Sequence, residues 1–239
     1  MPNCVPHGPM ICDRCWKGVT VPYQEIGPFR LIRDPGHWGS TNPTVLVLGI
    51  SKGNTQSKAF ARGSFDDVAF KQIRHRLLEV LQTVGLLPGE TLARFERRFL
   101  AQEQEYAFAS VVRCSLTGMD RKKRVHTADS PNVIPAFKPD SKGYAFVSAC
   151  VDQHIGGLPS STRTVVLLGN TDLYVRNLQN LVGRTLGCVT PINDVAYRAK
   201  GALFVHVSHP SKGNGHFGAF NRGEGTAGAK MLLARAALH

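Results

Sequence analysis

The stretch Thr44-Val-Leu-Val-Leu-Gly-Ile-Ser-Lys-Gly-Asn-Thr-Gln56 carries the clearest fold signal in the chain. Its residues 45–48 form a continuous apolar run, which is typical of a parallel strand buried on both faces. The glycine loop of residues 49–56 then offers backbone N–H groups and small side chains at the carboxyl end of that strand, where ligands bind in open α/β folds. Their spacing differs from that of the P-loop and of the dinucleotide-binding fingerprint. The stretch therefore predicts a buried strand that ends at a binding site of another kind.

Three more segments have the composition of buried strands, namely residues 106–113, 164–168 and 203–207. Amphipathic or apolar segments typical of helices separate or follow them, at residues 70–85, 92–104, 144–155, 173–182 and 228–238. Strands that alternate with helices predict a parallel sheet covered on both faces. We therefore predict an α/β fold, a three-layer sandwich with a central four-stranded parallel sheet flanked by helices. A length of 239 residues favours a single domain, residues 1–239.

The carboxyl ends of parallel strands meet at one edge of a sheet, so the segments that follow the predicted strands should converge. The last of these strands runs into His209-Pro210-Ser211 and a glycine-rich loop that ends near residue 220. Pro210 lacks a backbone N–H and stops the ladder, which holds His209 at the mouth of the strand. The glycines allow the loop to approach a polyanion closely. An incidental histidine in a surface loop is the alternative interpretation.

The charge indicates a polyanionic partner. Lys and Arg total 29 against 17 for Asp and Glu, which gives a formal charge of +12. No basic amphipathic helix and no apolar run of membrane length stand out, so the excess favours nucleic acid over a membrane. A charge that serves only solubility is the alternative. Because the N-terminus lacks the pattern of a secretory signal, we expect a cytoplasmic protein, associated with the nucleoid when bound to DNA.

Two segments outside the predicted strands and helices also stand out. Residues 1–43 read as an irregular N-terminal wrap that carries the pair Cys12-Asp-Arg-Cys15. Two thiolates at this spacing can meet one metal ion, but a closed site needs four ligands. Residues 115–140 read as a basic insertion containing Arg121-Lys-Lys-Arg124. This insertion is either a DNA-facing, partly mobile loop or a solvated surface loop.

These motifs resemble those of the uracil-DNA glycosylase superfamily, and most closely its iron–sulfur-containing branch, family 4. The first motif of the family is similar to Gly49-Ile-Ser-Lys-Gly53, with Lys52 in place of a proline. A strand of the form Thr-Asn-Val-Val-Lys-Cys is similar to residues 109–114, where Ser110 stands in the position of the asparagine. The final motif, His-Pro-Ser, is intact at residues 209–211.

The resemblance implies a DNA repair glycosylase that flips uracil out of DNA and hydrolyses its N-glycosidic bond, leaving an abasic site. His209 would donate a hydrogen bond to the uracil oxygen as charge develops there, and Phe70 would stack on the base. The remaining implied roles are base and substrate binding by Gly49, Ile50, Ser110 and Asn170, water positioning by Ser51, Asn54 or Gln56, and DNA binding by Lys52, Lys212, Asn214 and Arg222. A glycosylase for hypoxanthine and a non-catalytic DNA-binding relative are the alternatives.

The resemblance also implies a cofactor and a partner. The family's cluster ligands correspond to Cys12, Cys15, Cys114 and Cys150, which would hold a [4Fe–4S] cluster. A zinc site that draws on Cys4 or His7 and a set of unligated buried thiols are the alternatives. We expect the partner to be uracil-containing DNA, single- or double-stranded, and the protein to act as a monomer without a membrane.

Overall fold

The computed structural model describes residues 5–239, apart from the side chains of Asn54 and Thr55. The strands, in chain order, are β1 (Gly8–Pro9), β2 (Tyr23–Ile26), β3 (Phe29–Ile32), β4 (Gly36–Gly39), β5 (Val45–Ser51), β6 (Tyr106–Val112), β7 (Ser115–Asp120), β8 (Val125–Thr127), β9 (Thr164–Leu168), β10 (Val189–Asn193), β11 (Ala196–Ala199) and β12 (Ala202–Val207). The helices are α1 (Asn54–Phe60), α2 (Arg74–Thr83), α3 (Leu92–Arg97), α4 (Ser130–Val133), α5 (Tyr144–Cys150), α6 (Asp172–Leu186), α7 (Phe217–Arg222) and α8 (Gly225–Leu238). Short 3₁₀ turns span Phe65–Asp67, Lys71–Ile73 and Ile134–Phe137, and a π-helical segment, Val151–Ile155, continues α5.

The main sheet is mixed and has eight strands in the order β1-β4-β6-β5-β9-β12-β11-β10. The neighbours β6, β5, β9 and β12 run parallel, while the strands on either side of them pair antiparallel. The α/β class predicted from the sequence is confirmed, but the sheet is larger than the predicted four strands. The added strands β10 and β11 follow α6 and contain no continuous apolar run. Strand β10 has no buried residue, so the pattern typical of a buried strand does not predict it.

Both faces of the main sheet are buried, because its apolar strands alternate their side chains between two cores. Leu46 and Leu48 of β5 pack in one core with residues of α5 and α6. Val45 and Val47 pack in the other core with residues of α2 and α8. Covering both faces is what a continuous apolar strand requires.

A second, antiparallel sheet has the order β2-β3-β7-β8. It places a hairpin in residues 23–32, where the sequence predicts an irregular wrap, and two strands in residues 115–127, where the sequence predicts a loop. The many Pro and Gly residues of the wrap lie mostly between strands, as at the Gly27-Pro28 turn of the β2–β3 hairpin. Strand β7 was missed because it buries polar residues, Ser115 and Thr117, at 0% and 1% exposure. Phe29 and Leu31 of β3 join the first core of the main sheet.

The parallel strands β5, β6, β9 and β12 end at one edge of the sheet, at Ser51, Val112, Leu168 and Val207. The segments that leave β5, β9 and β12 line a cleft. Within the described residues, every helix is too short or too polar to pass through a membrane.

Candidate functional site

A cleft with a volume of about 1440 Å³ opens at the carboxyl edge of the main sheet. It is lined by the ends of β5, β9 and β12, by the segment around Phe70 and by residues that follow β8. Eight of the residues predicted for catalysis, substrate binding or DNA binding line this cleft, namely Gly49, Ile50, Ser51, Gln56, Phe70, Asn170, His209 and Asn214. The convergence of strand ends therefore brings the predicted residues together.

Phe70 forms an aromatic wall of the cleft. Its backbone is left-handed, with φ of 53° and ψ of 11°, a conformation that is uncommon for a bulky residue. Holding a non-glycine residue there costs on the order of 1 kcal/mol or more, so the surrounding structure must impose it. The sequence predicts a helix from this residue onward, but α2 begins only at Arg74, after a 3₁₀ turn. Phe70 thus stands apart from the helix and turns its ring to the cleft.

Gly49, Phe70 and Ser110 meet at the end of β5. Gly49 is opposite Ser110 in the parallel register of β5 and β6. A Cβ added to Gly49 would lie 3.4 Å from both the Phe70 ring and the Ser110 hydroxyl. The ring and the hydroxyl therefore lie close to Gly49. Gly49 and Phe70 line the cleft, whereas Ser110 does not and is 5% exposed.

His209 is a neutral hydrogen-bond donor in this cleft. The backbone N–H of Ser211 donates to its Nδ1 at 3.1 Å, so the ring proton lies on Nε2. Part of the ring faces the cleft, yet protein surrounds the rest, and burial lowers the pKa of His209 to about 4. The imidazole is therefore uncharged near neutral pH and can offer Nε2–H to an acceptor.

The loop that carries His209 is held from two sides. The Asn214 side chain donates to the carbonyl of His209 at 2.8 Å and to the Ser208 hydroxyl at 2.9 Å. Arg76 of α2 donates to the carbonyls of Pro210 and Ser211 at 2.7 and 3.1 Å. Asn214 was predicted to contact DNA, but these bonds use its amide to fix the loop. Arg76 was missed, because nothing in the pattern of α2 indicates a partner more than 130 residues away.

The other residues predicted to bind DNA lie in different environments. Lys52 is 1% exposed and its ammonium lies 3.3 Å from Asp34, so it is not available to a phosphate. This corrects its predicted role. Lys212 is exposed between two residues that line the cleft, Ser211 and Gly213. Arg222 is exposed but pairs with Glu224 at 2.8 Å.

The residues predicted to position water differ in their hydrogen bonding and in their location. The Ser51 hydroxyl donates to the Leu116 carbonyl at 2.8 Å, and Gln56 lines the cleft. Asn54 begins α1, and its side chain lies outside the described part of the structure.

A carboxylate that sequence reasoning missed also lines the cleft. Asp129 follows β8 and precedes α4, and its side chain is exposed. Two more cleft carboxylates are engaged in ion pairs, Asp67 with Lys71 at 2.8 Å and Asp172 with Lys230 at 2.5 Å. Asp129 was missed because it follows an antiparallel strand, whereas only the ends of parallel strands were predicted to build the site.

The four predicted cysteine ligands lie outside the lining of the cleft, and Cys15 contacts Cys150. Cys150 lowers the pKa of the neighbouring Cys15 thiol, and Cys15 together with burial raises that of Cys150. Burial raises the pKa of Cys114 to about 12, and Cys12 Sγ lies 3.9 Å from His154 Nε2. Thiols are suitable donors for zinc or an iron–sulfur cluster. Within residues 5–239, however, no three His, Cys, Asp or Glu side chains form a group that could hold a metal ion.

The alternative zinc ligand His7 has other partners. His7 accepts the Gly39 N–H at 3.2 Å through Nδ1, and its Nε2 lies 2.9 Å from Asp66 Oδ1. Cys4 lies outside the described residues.

A buried arginine accompanies the cysteines. Arg113 is 3% exposed, and its Nε and Nη1 have no hydrogen-bond partner among the residues that the structure describes. Burial lowers its pKa to about 10, while Cys150 and Cys12 act in the opposite direction. A buried guanidinium without a carboxylate partner is costly, and thiolates beside it would offset that cost.

No protein-family model matches the chain, and no curated protein matches it. The function is therefore inferred from the cleft and its residues.

Proposed function

We propose that the chain is a DNA glycosylase that hydrolyses the N-glycosidic bond of uracil in DNA by base flipping, leaving an abasic site. The observation that carries this proposal is the meeting in one cleft of an aromatic wall, Phe70, a glycine floor, Gly49, and a neutral histidine donor, His209. We interpret the four parallel strands that support the cleft as the centre of a three-layer sandwich of the kind found in the superfamily that the motifs resemble.

The cleft offers what recognition of a flipped pyrimidine requires. The Phe70 ring supplies a stacking surface for the base. The Ser110 hydroxyl and the backbone N–H groups around Ile50 would bind the polar edge. A hydroxyl both donates and accepts, so Ser110 alone does not select uracil over another deaminated base such as hypoxanthine. Hypoxanthine is the second candidate substrate. Excision assays on duplexes that contain either uracil or hypoxanthine decide between the two.

In the proposed reaction, the bond between the sugar carbon C1′ and the base nitrogen breaks, and its electron pair leaves with uracil. His209 Nε2–H would stabilise the negative charge that develops on the uracil oxygen, which is typically worth about 3 kcal/mol for one such donor. The oxygen of a water molecule bonds to C1′, and a proton of that water passes to a general base of the protein. Asp129 is the carboxylate that we assign to this step, with Gln56 or Asn54 positioning the water.

DNA phosphates would be bound at the rim of the cleft. Lys212 is the exposed basic side chain in the loop that follows His209. The overall charge of +12 would strengthen this association and make it sensitive to salt. Lys52 would not contact these phosphates, because its buried ammonium lies 3.3 Å from Asp34.

We further propose that Cys12, Cys15, Cys114 and Cys150 hold a metal centre, a [4Fe–4S] cluster or zinc. The support is the chemistry of the four thiols, which suit either metal, and the buried cation of Arg113, whose charge thiolate ligands would balance. Such a centre would be structural, because it would join the N-terminal segment to α5 and to the segment between β6 and β7. No step of the reaction is assigned to it.

The proposal is tested by incubating the purified protein with single- and double-stranded oligonucleotides that contain one uracil, followed by alkali. Strand cleavage at the uracil, together with free uracil in the supernatant, is the expected result. A mobility shift without cleavage would identify a DNA-binding relative instead. Cleavage only at hypoxanthine would move the substrate to the second candidate.

A further inference from the structure

A β-hairpin carries the densest run of positive charge in the chain to the neighbourhood of the cleft. Strands β7 and β8 pair antiparallel up to Asp120 and Val125, and the turn between them consists of Arg121, Lys122, Lys123 and Arg124. All four basic side chains are exposed. We refer to these four residues as the basic turn.

The basic turn is fixed rather than loosely attached. Asp120 Oδ1 accepts the backbone N–H groups of Lys122 and Lys123 at 2.9 and 3.1 Å. Lys123 Nζ lies 3.9 Å from the same carboxylate, but within the described residues no carboxylate forms an ion pair with Arg121, Lys122 or Arg124. The turn therefore presents positive charge that the described part of the protein leaves largely uncompensated.

The basic turn is connected to the lining of the cleft through β8 and through the contact of β7 with α1. Strand β8 runs from the turn directly into residues 128–131, which line the cleft. Helix α1 packs against β7, and its residues Gln56 and Ala59 also line the cleft. The three residues of β8 span about 10 Å, which is about three nucleotides along one strand of a duplex.

We infer that the basic turn binds the phosphate backbone of duplex DNA, about three nucleotides from the nucleotide that occupies the cleft. The inference rests on the proposed function for its choice of polyanion. Guanidinium and ammonium groups at this spacing suit phosphates of one strand, and each would release counterions on contact. These contacts would hold the duplex while a base enters the cleft and would carry no sequence preference.

The test compares two double variants that remove the same charge. R121Q/K122Q neutralises two residues of the basic turn, and R94Q/R97Q neutralises two exposed arginines of α3. Binding to an undamaged 20-base-pair duplex is measured by fluorescence anisotropy across a series of salt concentrations, and thermal melts verify that both variants remain folded. We expect R121Q/K122Q to reduce the slope of log Kd against log salt by about 1.8, with at least tenfold weaker binding near 0.1 M salt. R94Q/R97Q should leave the slope nearly unchanged.

Equal losses in the two variants would overturn the inference, because net charge alone would then explain the binding. An unchanged slope in R121Q/K122Q would also overturn it. A third result would also overturn the inference: R121Q/K122Q binds DNA like the wild type but loses binding to vesicles that contain 30% phosphatidylserine. That result would assign the turn to a membrane surface. Since the duplex is undamaged, the result is independent of catalysis: a protein that binds through the turn but releases no uracil would refute the glycosylase proposal and leave this inference standing.

Discussion

The backbone N–H of Ser211 donates a hydrogen bond to Nδ1 of His209, and the two atoms lie 3.1 Å apart. Pro210 lies between the two residues, and its restricted backbone favours the turn that brings them together. The bond selects one tautomer, because a neutral imidazole that accepts at Nδ1 must carry its proton on Nε2. A tripeptide thus determines both the location of the donor and the nitrogen that donates.

Replacement of His209 by alanine should lower the rate of uracil excision by about 10²–10³-fold, the usual effect of losing one donor to a developing anion. Because the pKa of His209 is lowered to about 4, the neutral form prevails from pH 5.5 upward. Protonation of this residue should therefore not limit the rate until the pH approaches 4. Single-turnover rates between pH 4 and 8 measure both effects.

DNA affinity separates a catalytic from a structural role for His209. H209A should bind a uracil-containing duplex within about twofold of the wild-type affinity, since the donor acts on charge that is absent from the ground state. H75A, which changes an exposed histidine of α2, serves as the matched control and should retain both activities. Loss of binding together with excision in H209A would mean that His209 supports the loop and not the reaction.

Replacement of Gly49 by alanine should abolish most excision without unfolding the protein. The new methyl group would make ordinary contacts of 3.4 Å with the Phe70 ring and the Ser110 hydroxyl, so we expect a change in unfolding free energy below about 1 kcal/mol. Under the proposed function, it would nevertheless occupy space beside the Phe70 ring that a stacked base needs. G213A adds a methyl group to a cleft-lining glycine with open space around it and should leave excision unchanged. Full activity in G49A would show that the base does not bind beside Gly49 and Phe70.

The parts of the site that were predictable from the sequence are those encoded by local pattern. The apolar run before Gly49 and the strand before His209 predict buried parallel strands, and the ends of such strands meet by topology. Arg76 and Asp129 were not predictable, because their roles depend on how distant segments pack. Lys52 shows the reverse error: the resemblance implied a contact with DNA, but burial against Asp34 decides its environment.

Asp129 should be the carboxylate that receives the proton of the attacking water. D129N should lower the single-turnover excision rate by about 10²–10⁴-fold, the range typical of general base catalysis, while its DNA affinity should be equal to or higher than that of the wild type. D140N removes the same charge from an exposed position that does not line the cleft, and its excision rate should be close to that of the wild type. If D129N is fully active and Q56A is not, water positioning rather than proton removal limits the reaction.

The proposed metal centre makes a prediction about composition. Protein purified without oxygen should contain either about four iron and four sulfide per chain, with the visible absorbance of an iron–sulfur cluster, or about one zinc. C15S and C150S should lose most of the metal, whereas C188S, which changes an exposed cysteine, should retain it. R113M should lower the metal content or shift the reduction potential of an iron–sulfur cluster, because the buried cation would no longer balance the thiolates. Metal-free protein that excises uracil would show that the thiols are simply buried.

Stability should fall in acid, and His206 should account for a measurable part of that loss. His206 is fully buried beside the cleft edge, where its Nδ1–H donates to the Gly169 carbonyl at 2.8 Å, and burial lowers its pKa to about 4. The unfolded chain, with a histidine pKa near 6.5, binds more protons between pH 4 and 6.5. Stability contributed by neutral His206 is therefore complete above about pH 6.5 and is lost as the pH falls toward 4, by up to about 3 kcal/mol.

Urea denaturation between pH 5 and 7 tests this linkage. In H206N the amide can still donate toward Gly169 but does not titrate, so the variant should be less stable at pH 7 and should show a smaller dependence of unfolding free energy on pH. H75N removes an exposed histidine and should keep the wild-type dependence. The slope should not vanish in H206N, because the pKa of buried His37 is also lowered to about 4. A wild-type slope in H206N would show that the folded protein does not hold His206 in the neutral state, and that other groups control the acid response.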